Sequence, residues 1–239
     1  MLTKIGHVEA IFRYPVKSMA GERLQAAHLG WHGLDGDRRL AFRRMEDRSG
    51  MPWLTASKLP GLLLFSAHRP KGEASEDIPT HIRTPDGDQM DAFGVELAAE
   101  VRRRYGSPVQ MMRLNHGIFD EACVSLIALE TVAAIERVGG RELDVRRFRP
   151  NIVVRLLRSG PFQEDGWVGG ELLLGEGDDV SAVAVTMRDV RCSMVNLDPD
   201  SALPAPEVMK AVVGLNQNNA GVYGTVTRPG PVAVGQSIR

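Results

Sequence analysis

GHVEAIFRYPVKSMAGERLQAAHLGWHGLDGDRRLAFR, residues 6–43, is the stretch that decides the fold class. From Gly6 to Tyr14 it mixes Val8, Ala10, Ile11 and Phe12 with polar residues, and Pro15 ends the run. Leu24 to Leu29 alternates apolar and polar positions and breaks at Gly30. The turn Gly33-Leu34-Asp35-Gly36-Asp37 then leads into a third run, Arg38 to Arg43. Strands this short, spaced roughly 8–12 residues apart with turn residues between them, belong to a barrel or a sandwich.

The rest of the chain extends that reading. Thr55 is placed to cap a helical turn over Ala56 to Lys58, and Leu62-Leu63-Leu64-Phe65-Ser66-Ala67 reads as a buried strand. His68 to Asp77 is polar and reads as a solvent loop. Ile82-Arg83-Thr84 enters the hairpin turn Pro85-Asp86-Gly87-Asp88. Asp91 to Tyr105 reads as a helix with Val95, Leu97, Ala98 and Val101 on one face, and Val109 to Leu114 follows as a strand. Ser125 to Val138 places Leu126, Leu129, Val132 and Ile135 near the helical period, and Gly139-Gly140 ends it. Asn151 to Leu157, Glu171 to Leu174, Val180 to Met187, Gly221 to Thr227 and Val232 to Ile238 read as strands, and Pro206 to Leu215 as a short helix. The expectation is a strand-dominated α+β chain with accessory helices. It divides near residue 110 into segments 1–110 and 111–239.

Composition excludes several classes of function. With 29 Lys and Arg against 30 Asp and Glu, no global field directs the chain to nucleic acid or an anionic membrane. Aromatic residues make up only 5%, so the core rests on Val, Leu, Ile and Ala. No apolar run reaches the ~20 residues of a membrane span. Met1-Leu2-Thr3-Lys4-Ile5 lacks the apolar stretch of a secretory signal, so the expected address is the cytoplasm. Cys123 and Cys192 form no CxxC pair, which excludes a zinc ribbon and argues against a disulfide framework.

Cys192 is the first chemical candidate. It follows the strand ending at Met187, where a strand becomes a loop. Arg188 and Arg191 flank it, and nearby cations favour a thiolate. A thiolate is a ligand for soft metals. The competing reading is a buried structural thiol, which is the preferred one for Cys123 in its apolar context. Lys17, Ser18, Arg38, Arg149 and Asn151, with Ser125, suit a small anionic, polar ligand, because guanidinium groups bind phosphate or a planar heterocycle through forked hydrogen bonds. Taken singly, such arginines also read as solvated surface. Pro150 is expected to hold Arg149 in an extended backbone. His28 and His32 lack the glutamate of a zinc-hydrolase helix and read as surface or barrel residues.

In order along the chain, Tyr14-Pro15-Val16-Lys17-Ser18, Gly33-Leu34-Asp35-Gly36-Asp37-Arg38, Val124-Ser125-Leu126-Ile127, Arg147-Phe148-Arg149-Pro150-Asn151-Ile152-Val153-Val154, Arg191-Cys192 with Asp198-Pro199, Gly221-Val222-Tyr223 and Val232-Ala233-Val234-Gly235 resemble the MOSC family. That group is related to molybdenum-cofactor sulfurase C-termini and to the mitochondrial amidoxime-reducing component. Ser201-Ala202 stands where family members often show Thr-Gly, and Gln236 where Asp often follows the last Gly. The resemblance implies an N-terminal β-barrel domain followed by a MOSC β-barrel domain.

It also implies a molybdenum cofactor, with Cys192 as the protein ligand to the metal. Lys17, Ser18, Arg38, Ser125, Arg149, Asn151 and Arg191 would then hold the pterin or its phosphate. At the family level it carries a further association with pyridoxal phosphate. The leading expectation is an oxidoreductase that reduces N-hydroxylated or N-oxide small molecules with electrons from a separate donor protein. Asp120, Glu164 and Asp165 are the candidate proton donors. The alternative is a cofactor or sulfur carrier that uses Cys192 without turnover.

Overall fold

The computed structural model describes residues 3–68, 78–177 and 180–239. Seven strands close into a barrel. In order around it they are Ile152–Leu156, Val124–Ala128, Asn219–Arg228, Ser181–Val190, Glu171–Leu174, Ser237–Ile238 and Gly6–Arg13, and the last pairs back onto the first. Neighbours run antiparallel except Val124–Ala128 and Ile152–Leu156, which are parallel and connected through the helix Leu129–Gly139. Closure leaves the barrel without a free edge. The N-terminal strand therefore completes a barrel whose other six strands come from the second half of the chain.

Strand alternation sorts the apolar residues onto two faces. Leu126 and Ala128 point into the barrel with Val8, Ile11, Ile152 and Val154. Ile127 and Val153 point outward and are covered by Val132, Ile135, Val208 and Val212 of the helices Leu129–Gly139 and Pro206–Asn216. This corrects the expected helix Ser125–Val138, since Val124–Ala128 is a strand and the helix begins at Leu129. A strand buried on both faces is a continuous apolar run, which has no period to distinguish it from a buried helix. Gly140 ends the helix in the left-handed conformation, as expected.

A second core lies beneath the strands Leu40–Arg44 and Val109–Arg113, the small sheet Ser66–His68, His81–Arg83 and Gln89–Asp91, and the helix Val95–Tyr105. Several expectations change here. Leu62 to Leu64 belong to the 3-10 helix Pro60–Leu64 rather than a strand, and proline is at home in its first turn. At Thr55 the backbone carbonyl, not the hydroxyl, accepts from Lys58 and Leu59. Asp91 is still in a hairpin strand, so the helix starts at Val95, which is 85% exposed; Leu97 and Val101 form the buried face. The run Leu24 to Leu29 splits into Glu22–Leu24 and Ala26–Gly30, which pair with different strands. Beyond His68, the expected loop to Asp77 lies outside the described residues. Among those described, no helix is long and apolar enough to cross a membrane.

The turn at Gly33 packs against the barrel. Gly33 has φ +96, and a Cβ there would lie 2.1 Å from the Cys123 carbonyl oxygen. Gly33→Ala is therefore expected to destabilise the fold by about 2–4 kcal/mol. Urea titration checks this as a lower midpoint at unchanged slope; an unmoved midpoint would mean that the turn relaxes.

Candidate functional site

The strand Ser181–Val190 loses regular register with its neighbour towards its end, between Val185 and Met187 and again between Arg188 and Val190. The Arg191 N–H still reaches the Asn218 carbonyl, and Cys192 then precedes the 3-10 turn Ser193–Asn196. Asp189 and Arg191 turn inward, whereas Val190 and Cys192 are exposed. Cys192 opens onto a cavity of about 390 Å³. Lys17, Ser18, Arg38, Arg149 and Arg191 also line it. Cys123 is half-buried against the barrel core and outside this lining.

The arginines beside Cys192 in sequence do not aim their charge at it. Arg191 donates to the carbonyls of Ala220 and Phe148 at 2.7 and 2.6 Å and pairs with Asp189 at 2.7 Å. Arg188 lies 3.5 Å from Asp165. Lys17 is a further cation of the pocket lining. Burial pulls its pKa down, and Asp120 and Cys192 partly offset that. Its amine donates to the Phe119 carbonyl at 2.6 Å.

Three of the expected ligand-holding residues have left-handed backbones: Ser18 (φ 64), Arg38 (φ 47) and Arg149 (φ 48). Residues other than glycine seldom adopt this region, and such outliers cluster at functional sites. Arg149 thus departs from the extended backbone expected before Pro150. It closes the 3-10 turn Val145–Phe148, and its N–H bonds the Arg146 carbonyl. Proline excludes right-handed helix at the preceding residue, and the turn takes the left-handed alternative.

Arg38 is the hub. Its Nε lies 2.6 Å from Asp120, and its Nη1 donates to Asp37 at 2.5 Å and to Asn151 at 3.2 Å. Its Nη2 donates to the Arg149 carbonyl at 2.8 Å. The buried Tyr14 ring is contacted by both guanidinium groups, 5.0 Å from Arg38 and 4.1 Å from Arg149, a cation–π arrangement. Burial pushes Asp120 up, but Arg38 and Lys17 outweigh it and hold the carboxyl below its usual range.

Ser125 and Asn151 stand behind the pocket, not in its lining. Asn151 accepts from Arg38 and from the Ser125 N–H, and donates to the Phe12 carbonyl. Ser125 donates to Asp189 at 3.1 Å. Glu164 is buried elsewhere, bonded to Ala128 and Thr131, and Asp165 is tied to Asn216. Neither lines the pocket, so of the three candidate proton donors only Asp120 does. Asp189, Tyr223, Met51, Thr55 and Ser57 also line the pocket, and none of them was given a role in the site from the sequence. Asp189 could have been, because it lies within the same short run as Cys192.

The motifs that carry Lys17, Arg38, Arg149, Cys192 and Tyr223 thus meet around one cavity, and family models match in the same order. The model described as the MOSC domain matches residues 103–239, and that described as the MOSC N-terminal beta barrel domain matches residues 5–122. The chain belongs to the MOSC family. Among solved structures, the YUAD protein from Bacillus subtilis superposes with TM-score 0.52 at 13% identity, covering 100% of this chain and 97% of that one. That likeness supports the fold alone. YiiM from Geobacillus stearothermophilus is similar over 49% of this MOSC chain and 53% of its own, at 19% identity and TM-score 0.37. No curated protein matches the chain.

MOSC domains are associated with molybdenum-cofactor binding, and the pocket chemistry fits such a ligand. Arg149 is buried, and its Nη1 donates to the Met19 carbonyl at 2.7 Å. Its Nη2 has no partner, and among the described residues no carboxylate pairs with it. Burial lowers its pKa to about 10, so it remains charged at neutral pH. A buried cation without a counter-ion is costly, and an anionic ligand in the pocket supplies one. Among the described residues no group of three His, Cys, Asp or Glu side chains is placed to hold a metal ion. A metal at Cys192 therefore has to bring its other ligands with it, as a dithiolene cofactor does.

Proposed function

We propose that this pocket holds a molybdenum cofactor with Cys192 as protein ligand, and that the protein reduces N-hydroxylated or N-oxide small molecules with electrons from a separate donor protein. The observation that carries the reading is the exposed Cys192 thiol on a pocket in which one buried cation, Arg149, has no counter-ion among the described residues. The cofactor, when bound, would supply two-electron redox chemistry at the metal. In this reading Lys17 and Arg149 provide the positive field for its anionic groups, and Ser18 and Arg191 line the same wall. Arg38, already committed to two carboxylates, holds the Arg149 backbone in place. Ser125 and Asn151 act from behind, through Asp189 and Arg38. Met51, Thr55 and Ser57 form a side open to a small substrate. Pyridoxal phosphate is not part of this reading, which uses Lys17, the lysine of the pocket lining, as a cation.

A second reading, a sulfur or cofactor carrier, draws on the same exposure of Cys192, since a persulfide there would be accessible to a partner. The deciding experiment measures molybdenum and pterin per chain in purified protein, then turnover of a simple amidoxime with an artificial electron donor. The reductase reading expects metal and pterin together and conversion to the amidine. Bound molybdenum without turnover leaves the carrier reading, and absence of both metal and pterin removes the cofactor from either.

A further inference from the structure

We propose that Asp189 is the acid of this pocket, storing a proton in the buried wall and releasing it as the substrate N–O bond breaks, an inference that rests on the reductase reading above. Among the described residues three carboxyl groups line the cavity: Asp120, Glu121 and Asp189. Asp120 is flanked by Arg38 at 2.6 Å and Lys17 at 3.9 Å, a setting that favours the carboxylate and makes a weak proton donor. Glu121 is exposed to solvent. Asp189 is 1% exposed and lies three residues before Cys192 on the same strand end.

The partners of Asp189 stabilise its charge incompletely. Ser125 donates one hydrogen bond to Oδ2 at 3.1 Å. Arg191 Nη2 is 2.7 Å from the same oxygen, but makes no well-directed hydrogen bond there. The Nε and Nη1 groups of Arg191 are spent on the Ala220 and Phe148 carbonyls. Across the pocket, Asp120 opposes ionisation of Asp189 and Arg38 favours it. The Tyr223 phenol, raised by burial and by Asp189 itself, stays neutral. Burial outweighs Arg191 and Ser125 and pushes the Asp189 carboxyl up to about 6. Both protonation states are then accessible near neutral pH, as acid catalysis requires.

Reducing an N-hydroxyl group breaks one N–O bond, consumes two electrons from the donor protein and two protons, and releases the amine and water. Asp189 gives one of those protons to the departing oxygen and becomes a carboxylate. Solvent supplies the second proton and then reprotonates Asp189.

Infrared spectra of the cofactor-free full-length protein across pH test the stored proton directly. A protonated-carboxyl band should disappear with a midpoint of about 6 and be absent from Asp189→Asn. Ser125→Ala, which removes a bond favouring the carboxylate, should move that midpoint upward; a Ser125→Ala midpoint that stays put counts against the proposal. In loaded protein, kcat/KM should decline above the same midpoint. Asp189→Asn should lower it by about 10²-fold and flatten that limb. A wild-type carboxyl already ionised well below the expected midpoint, or an Asp189→Asn protein that turns over with the wild-type pH profile, overturns the assignment and leaves the reductase reading intact. Molybdenum-loaded wild type that turns over nothing at any pH removes the reading and the proton transfer with it. If Asp189→Asn does not fold, the Ser125→Ala midpoint decides.

Discussion

Cys192→Ser should lose amidoxime turnover by more than about 10²-fold while the fold stays intact. Partners one layer removed from a metal are already worth about 10–100-fold in affinity or activity, so loss of the ligand atom itself is expected to exceed that range. Serine replaces a soft, ionisable sulfur with a hard, neutral hydroxyl of almost the same shape. Cys192 is exposed and carries no packing load, so the melting temperature of the cofactor-free protein should not move. Pterin content should fall less than activity, because the groups proposed to hold the organic part of the cofactor are untouched. Elemental analysis, pterin fluorescence and turnover on the same preparation check all three. A Cys192→Ser protein with normal molybdenum and normal activity would remove the central assignment.

Arg149→Met is expected to lower cofactor affinity by about 10²-fold, equivalent to about 2.7 kcal/mol. The effect on the empty protein should be much smaller and could have either sign. Removing Arg149 forfeits its bond to the Met19 carbonyl and its contact with the Tyr14 ring. It also removes a buried charge without a counter-ion, and replacing such a charge with an apolar group of similar length is often neutral or stabilising. Arg149→Lys keeps the charge but not the planar fork, and should fall between the two. Thermal melts with and without cofactor separate the effects, since a bound ligand raises stability only in proportion to its affinity. An Arg149→Met protein that retained its cofactor while its empty form melted far lower would mark Arg149 as a brace alone.

Much of the architecture was legible locally. The short strands of residues 6–43 announce a barrel or a sandwich through their length and the turn residues between them, and Gly140 announces a helix end. What failed had a common cause. Val124–Ala128 and the Leu62–Leu64 segment are apolar runs buried from more than one side, and such runs carry no period from which to read a conformation. Arg149 failed differently. Proline removes one backbone option for its predecessor, but the 3-10 turn before it selected among those that remained.

The pocket was legible as an inventory and not as a mechanism. Lys17, Ser18, Arg38, Arg149 and Cys192 could be singled out by residue type and by the turns they occupy. Their division of labour could not, because it depends on contacts between residues distant along the chain. Arg38 reaches the Arg149 carbonyl across 111 positions, and Ser125 reaches Asp189 across 64. The arginines flanking Cys192 looked like its electrostatic partners, yet barrel alternation turns Arg191 inward to Asp189 and the neighbouring carbonyls.

By itself, then, the sequence determined the strand-dominated class, the turns and the set of residues able to carry chemistry, since each depends on residue type and near neighbours. Only the tertiary structure decided which cation lacks a counter-ion and which carboxyl is buried with too few partners to hold its charge. Charge balance and desolvation are properties of a closed environment. That environment exists here only once the N-terminal strand has completed a barrel built from the second half of the chain.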